Sequence, residues 1–246
     1  AQESAHAARH ILPSSGERTQ PVPIAPPSET PANTPLIEAK HLVFGYHTGI
    51  PIVQNLSLTI HRGEHTAIIG ESGAGKTTLA SLLLRLWEPD AGTISYDGIP
   101  HTKLPLEASR TYFGAALQGS WLFSASIRDN FLRLRGDISE AAIWHALETA
   151  QLADVVRALP AGLDEPLGMN ASRLSGGQRS RLLTALALAG DAPILLLDEP
   201  TAGLDAACGT RLITSVLADA DARGATLIVI THDLPLLNQM KQVIKL

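Results

Sequence analysis

The sequence predicts an α/β fold with a mostly parallel core sheet, an antiparallel β piece at its start and a helical insertion in its middle. Three observations predict it. Residues 193–197 and 225–230 are continuous apolar runs, which suit strands buried on both faces of a parallel sheet. Residues 36–44 and 52–60 partly alternate apolar with polar, as half-buried antiparallel strands do. Between these two regions, Ile143, Leu147, residues 153–159 and residues 175–189 recur with helical spacing.

A chain of 246 residues, 45% of them hydrophobic, is long enough for one or two domains with a sizeable core. Its net charge of -5 argues against nucleic acid as the main partner, because binding by counterion release needs a basic surface. The single cysteine, Cys208, rules out a disulfide framework and makes a reducing compartment the default. It reads as a small residue within a helix. No apolar run approaches the roughly 18 residues of a membrane span, and the first residues carry no apolar signal-peptide core. A membrane role would therefore come through a partner or a segment outside this sequence.

Residues 1–35 hold seven of the sixteen prolines, with Ser, Thr, Gln and Ala between them. They read as an extended, disordered linker, with an ordered arm laid on the domain as the alternative. The two alternating segments follow. Then comes Thr66-Ala67-Ile68-Ile69, a short strand. It runs into Gly70-Glu71-Ser72-Gly73-Ala74-Gly75-Lys76-Thr77 and a helical pattern over 78–86 that carries Leu79, Leu82, Leu83 and Leu86.

That loop matches G-x-x-x-x-G-K-[ST] in the strand–loop–helix setting the pattern needs. Its glycines let successive backbone N–H groups point at phosphate oxygens, and the helix N-terminus adds partial positive charge. Lys76 is expected to reach the β- and γ-phosphates of a nucleotide and Thr77 to ligate Mg²⁺, with Thr78 in the same cradle. The competing reading is a flexible glycine-rich loop.

Thr93-Ile94-Ser95-Tyr96 ends in Asp97-Gly98, a hairpin signal. Further on, Leu174-Ser175-Gly176-Gly177-Gln178 is a small polar turn that opens an apolar helix, N-capped at Ser175. It reads as a second phosphate cradle. One nucleotide needs only one, so the pair points to nucleotides shared with another chain. Leu195-Leu196-Leu197-Asp198-Glu199 is an apolar strand ending in two carboxylates. A buried parallel strand would bring Asp198 to Mg²⁺ at its C-terminal edge. Glu199 would then orient the attacking water or take its proton. Read alone, the same residues are an acidic turn. Residues 205–222 fit a helix, and a short helix and a strand at Val243-Ile244 close the pattern.

The phosphate loop, Leu-Ser-Gly-Gly-Gln and Leu-Leu-Asp-Glu-Pro together resemble the nucleotide-binding domain of ATP-binding cassette (ABC) proteins, over about residues 36–246. The resemblance implies a P-loop ATPase fold of the ABC type, with a helical subdomain over about 119–190, and it implies ATP and Mg²⁺. Tyr46 matches the aromatic that stacks on adenine. Gln118 matches the glutamine near Mg²⁺ and the γ-phosphate. Asp205, in Ala202-Gly203-Leu204-Asp205, matches a loop that crosses the dimer interface, and His232 matches the histidine that contacts the γ-phosphate. Such domains pair head to tail. Ser175, Gly176, Gly177 and Gln178 of one would then face ATP held by the phosphate loop of the other. Hydrolysis would follow in-line attack of water on the γ-phosphorus, with Glu199, His232, Lys76 and Gln118 as the catalytic set.

Gln118-Gly119-Ser120-Trp121-Leu122-Phe123 and Ser126-Ile127-Arg128-Asp129-Asn130 are similar to ABC exporters, as are Leu159-Pro160-Ala161-Gly162 and Pro166-Leu167-Gly168. This implies a transmembrane domain that docks near Gln118, with Trp121, Leu122 and Phe123 as contacts or ordinary core. It also implies a place on the cytoplasmic face of the bacterial inner membrane, with residues 1–35 as the connector. Two departures stand out. Met169 takes the place of a glutamate tied to coupling, which implies a divergent half of an unequal pair. The family usually continues past the point matching Leu246, which implies a shortened C-terminus. Ala171-Ser172-Arg173-Leu174 and Gly203-Leu204-Asp205 are similar to the C half of CydDC-type exporters, which implies thiol export for cytochrome bd assembly. The alternatives are a lipid, peptide or drug exporter, or a soluble ABC ATPase such as a translation or repair factor. Soluble members usually show paired cassettes or long inserted arms, and neither is present here.

Overall fold

The computed structural model describes residues 34–47 and 49–246. All of the expected linker but Thr34 and Pro35 lies outside the described residues.

β1 (Ile37–Phe44) pairs antiparallel with β2 (Val53–Ile60) and with β4 (Ala91–Tyr96). β5 (Ile99–Pro100) completes a four-stranded sheet of order β2-β1-β4-β5. The Asp97-Gly98 turn has positive φ at both residues, 49° and 76°. That is the twist a two-residue hairpin needs, and glycine supplies half of it without strain. The inward residues Ile37, Phe44, Ile60, Ile94 and Tyr96 are fully buried. They pack with Leu79, Leu82 and Leu83 of α1 (Lys76–Leu83).

A second sheet has the order β6-β7-β8-β3-β9, and every pairing in it is parallel. Its strands are β3 (Thr66–Ile69), β6 (Phe113–Ala116), β7 (Ile194–Asp198), β8 (Thr226–Ile230) and β9 (Gln242–Lys245). The two-residue period sorts their side chains between two cores. Ile194, Leu196, Ile228 and Ile230 join the core under the antiparallel sheet. Leu195, Leu197, Leu227 and Val229 join a second core on the opposite face. This is why both strands read as unbroken apolar runs.

The second core is covered by helices inserted between β6 and β7 and by the long helix after β7. The inserted ones are α3 (Ile127–Leu134), α4 (Glu140–Thr149), α5 (Ala153–Arg157) and α6 (Gly176–Leu188). The long one is α7 (Ala206–Ala222). A short α2 (Leu106–Thr111) precedes β6, and α8 (Leu234–Leu237) precedes β9.

Three boundaries depart from the sequence pattern. α1 begins at Lys76, two residues before the apolar period, because Gly75 and the loop set its first turn. It stops at Leu83, since Arg85 takes φ 54° and leaves Leu86 outside. α5 ends at Arg157, and Pro160 follows shortly after. β6 is a strand the pattern did not reveal. Phe-Gly-Ala-Ala has no β-branched residue, yet Gly114 is required there because a Cβ would lie 2.1 Å from the Ala187 carbonyl oxygen in α6. No helix among the described residues is long and apolar enough to cross a membrane.

Candidate functional site

All five core strands point the same way, so whatever follows their C-terminal ends gathers along one edge. β3 leads into the 70–75 loop. β6 leads to Gln118, β7 to Asp198 and Glu199, and β8 to Thr231 and His232.

The loop ends at Gly75, which takes φ 93° and sits at the N-cap of α1 without any side-chain cap. A Cβ there would lie 3.0 Å from Ile52 Cγ2, so both the backbone angle and the close neighbour call for glycine. The first turn of α1 carries no acidic residue. Its amide groups and helix dipole are therefore open to an anion. The Lys76 amine donates to the carbonyls of Gly70 and Glu71, each at 2.9 Å, and so lies across the mouth of the loop.

The Thr77 hydroxyl donates to Asp198 Oδ2 at 2.8 Å. Asp198 is almost fully buried, and burial raises its carboxyl above the usual range. The Thr77 bond and the Gln118 backbone bond offset only part of this rise. Glu199 takes a left-handed φ of 52°, and its N–H donates to the Ile230 carbonyl at 2.9 Å. This bends the chain sharply at the strand end and turns the carboxylate toward His232, whose Nδ1 stands 2.9 Å from the Glu199 carboxylate. Hydrogen bonding to Glu199 pushes the exposed His232 ring up from its ordinary value.

A cavity of about 490 Å³ brings together Gly70, Ser72, Gly73, Gly75, Lys76, Thr77, Thr78, Gln118, Asp198, Glu199 and His232 of the expected set. It adds Ile52, which sequence reasoning missed, and Ala202, which the sequence placed only in the loop that leads to Asp205. Ile52 belongs to an ordinary apolar segment, and only its packing over Gly75 reveals its place.

Other expected residues lie outside the lining of this cavity. Glu71 and Ala74 are in the loop but do not line it. Tyr46 lies beside it, with its hydroxyl 3.3 Å from Thr78 Oγ1. Asp205 caps α7, accepting from the Cys208 N–H at 2.8 Å. Ser175 caps α6 in a reciprocal box with Gln178, the two bonds measuring 3.2 and 2.9 Å. Gly176 faces open space. Gly177 is packed against Gly203 and Leu204, linking the turn before α6 to the turn before α7. Of the three candidate docking residues, Trp121 is 76% and Phe123 56% exposed, whereas Leu122 is buried in the second core. The contact expectation is therefore corrected for Leu122, whose side chain turns inward between two neighbours that turn out. Met169 is 79% exposed.

The family model described as ABC transporter matches residues 53–202. The chain belongs to the ABC transporter family. Relatives within the family include an ATP-dependent lipid A-core flippase of Neisseria meningitidis serogroup B, 44% identical over 157 residues, which are 64% of this chain and 25% of the flippase. The flippase of Chromobacterium violaceum is 36% identical over 218 residues, 88% of this chain and 37% of the relative. A bacterial Atm1-family ABC exporter with ATP bound superposes with a TM-score of 0.81 at 34% identity, covering 92% of this chain and 39% of the exporter. The chain thus spans about a quarter to two-fifths of these proteins. It is an ATPase domain of the ABC type, with the α/β P-loop architecture of that family.

ABC transporter membership implies ATP and Mg²⁺. The residues fit both. No cluster of three His, Cys, Asp or Glu side chains stands ready to hold a metal among the described residues. Mg²⁺, however, is commonly held by one or two carboxylates together with substrate phosphates. Asp198, the Thr77 hydroxyl and Gln118 line the same cavity and would supply such an incomplete oxygen set.

Proposed function

We propose that this chain is the nucleotide-binding domain that powers an exporter at the cytoplasmic face of a bacterial inner membrane, working as one of a head-to-tail pair. The observation that carries the reading is the convergence of four parallel strand ends on one cavity, each with a different chemical group. The 70–77 loop would take the phosphates of ATP, and Tyr46 would stack on the adenine. The Lys76 amine would leave the Gly70 and Glu71 carbonyls for the phosphate oxygens. Thr77, Gln118 and Asp198 would hold Mg²⁺, which when bound neutralises charge on the phosphates. Glu199 would accept the proton of the attacking water, with His232 holding its carboxylate and reaching the γ-phosphate.

Ser175, Gly176, Gly177, Gln178 and Asp205 lie outside the cavity lining. In this reading they serve a nucleotide held by a second domain. ATP completes the interface, and loss of the γ-phosphate weakens it. Trp121 and Phe123 offer exposed apolar surface to a transmembrane partner beside Gln118. The helical subdomain spans about 119–190, and residues 1–35 are the connector. The net charge of -5 argues against nucleic acid as the main partner.

The names of the flippase relatives support a lipid or similar amphiphile as cargo. The thiol reading rests on Ala171-Ser172-Arg173-Leu174 and Gly203-Leu204-Asp205, and it draws no support from these relatives. Met169 at the usual glutamate position supports an unequal pair.

The test is Glu199→Gln, followed by light scattering with and without MgATP. The expected result is a dimer that forms with ATP and persists, with hydrolysis reduced to background. Turnover at the normal rate would remove Glu199 from the role of base.

A further inference from the structure

Tyr46 is held at three points. Its backbone is fixed through Gly45, whose N–H donates to Asp90 Oδ2 at 3.0 Å and which has no room for a Cβ, since one would lie 2.3 Å from the Ile50 carbonyl oxygen. Its ring packs edge-to-face with Phe44 and Trp87, at centroid distances of 5.1 and 5.3 Å and interplanar angles of 85° and 83°. Its hydroxyl lies 3.3 Å from Thr78 Oγ1. Phe44 is fully buried and itself lies 5.9 Å from Trp87, so the aromatic seat rests on the core. Thr78, Trp87 and Asp90 all belong to α1 or to the segment that follows it. The ring is therefore oriented by the continuation of the phosphate loop as well as by its own strand.

Thr78 has a second face, because it lines the phosphate cavity. A hydroxyl carries one donor and two acceptor positions. If the Tyr46 O–H donates to Thr78 Oγ1, the Thr78 proton is left to point at a phosphate oxygen. Hydrogen bonds in such a chain polarise one another, so each strengthens its neighbour.

We propose that Thr78 is the positioning residue that couples recognition of the nucleotide base to recognition of the phosphates, through its hydrogen bond with Tyr46. The inference rests on the reading of Tyr46 as the base-stacking residue and extends it. The Tyr46 hydroxyl, on this account, matters even to a ligand without a base, because it orients the Thr78 proton. Thr78, in turn, matters to base selection because it fixes the ring.

The experiment is a double-mutant cycle read by calorimetry with two probes, MgATP and magnesium tripolyphosphate. The variants are Tyr46→Phe, Thr78→Val, Thr78→Ser and the Phe/Val double variant, and thermal melting confirms that each is folded. Tyr46→Phe keeps the ring and is expected to weaken both probes by about three- to tenfold, the range of one hydrogen bond. Thr78→Val is expected to weaken both probes and to narrow the preference for ATP over tripolyphosphate. Adding Tyr46→Phe to it is expected to cost nothing more. Thr78→Ser keeps the hydroxyl and is expected to keep wild-type affinities, which a purely packing role of the threonine would not predict. Additive losses in the double variant, or unchanged tripolyphosphate binding in Tyr46→Phe, would overturn the coupling and leave the nucleotide site standing. Failure of the unaltered chain to bind either probe would overturn the underlying site.

Discussion

The Thr77 hydroxyl donates to Asp198 Oδ2 across 2.8 Å and joins residues 121 positions apart in the chain. It ties the first turn of α1 to the last residue of β7. The bond lies in the lining of the cavity that Lys76, Gln118 and Glu199 share, and Lys76 adds an electrostatic tie between the same two elements. Burial raises the Asp198 carboxyl, so this group is held at some cost to stability.

Asp198→Asn separates the two consequences. The amide oxygen can still accept from Thr77, and the buried charge is gone. The melting temperature is expected to hold or rise. The Mg²⁺ concentration needed for half-maximal hydrolysis is expected to rise by at least about tenfold, as for loss of a group that supports a metal. An unchanged Mg²⁺ dependence of the ATPase rate would remove Asp198 from the metal site.

Gly176 and Gly177 look alike in sequence and differ in space. A Cβ on Gly177 would fall 2.8 Å from the Gly203 carbonyl oxygen and 2.7 Å from Leu204 Cδ2, while one on Gly176 would meet nothing. Gly177→Ala is expected to cost about 1–3 kcal/mol through overpacking, and Gly176→Ala little or nothing. Urea denaturation of the two variants checks this. Equal stabilities would show that the Gly177–Gly203 contact is not tight.

His101 gives the acid response. It is 2% exposed, and its Nε2 lies 3.3 Å from the Glu88 carboxylate. Burial lowers the ring below its ordinary 6.5, and Glu88 offsets part of this. The unfolded chain then binds more protons below about pH 6.5, so this residue withdraws stability as pH falls through that value. His101→Phe keeps a ring beside Tyr96 and removes the titration. Its melting temperature is expected to fall less steeply between about pH 7 and about pH 5 than that of the unaltered chain. Equal slopes would place the acid sensitivity elsewhere.

Much of the site was legible in the sequence because its key residues lie in short contiguous runs at strand ends. The 70–77 loop and Asp198-Glu199 each carry their own context, so strand and turn read together. The parallel sheet was legible for the same reason, through the unbroken runs of β7 and β8. What was hidden depends on contacts between distant segments. β6 is a strand because Gly114 allows α6 to come close, which a Phe-Gly-Ala-Ala segment does not advertise. Ile52 enters the cavity only because β2 begins over Gly75. His65, to which the sequence pattern assigns no role, is buried, accepting from the Leu227 N–H at 3.0 Å and lying 3.0 Å from Asp221. Trp121, Leu122 and Phe123 look alike in sequence, and only the fold turns the middle one inward.

The Lys76 amine lies across the mouth of the 70–77 loop, where the proposed function has it meet the phosphates of a nucleotide. Calorimetric titration of MgATP into the chain and into Lys76→Ala tests this role most directly. The unaltered chain is expected to bind, and the variant to lose at least about tenfold in affinity, the lower end for a charge-assisted hydrogen bond. Equal affinity in both would show that the 70–77 loop does not hold the nucleotide phosphates through Lys76.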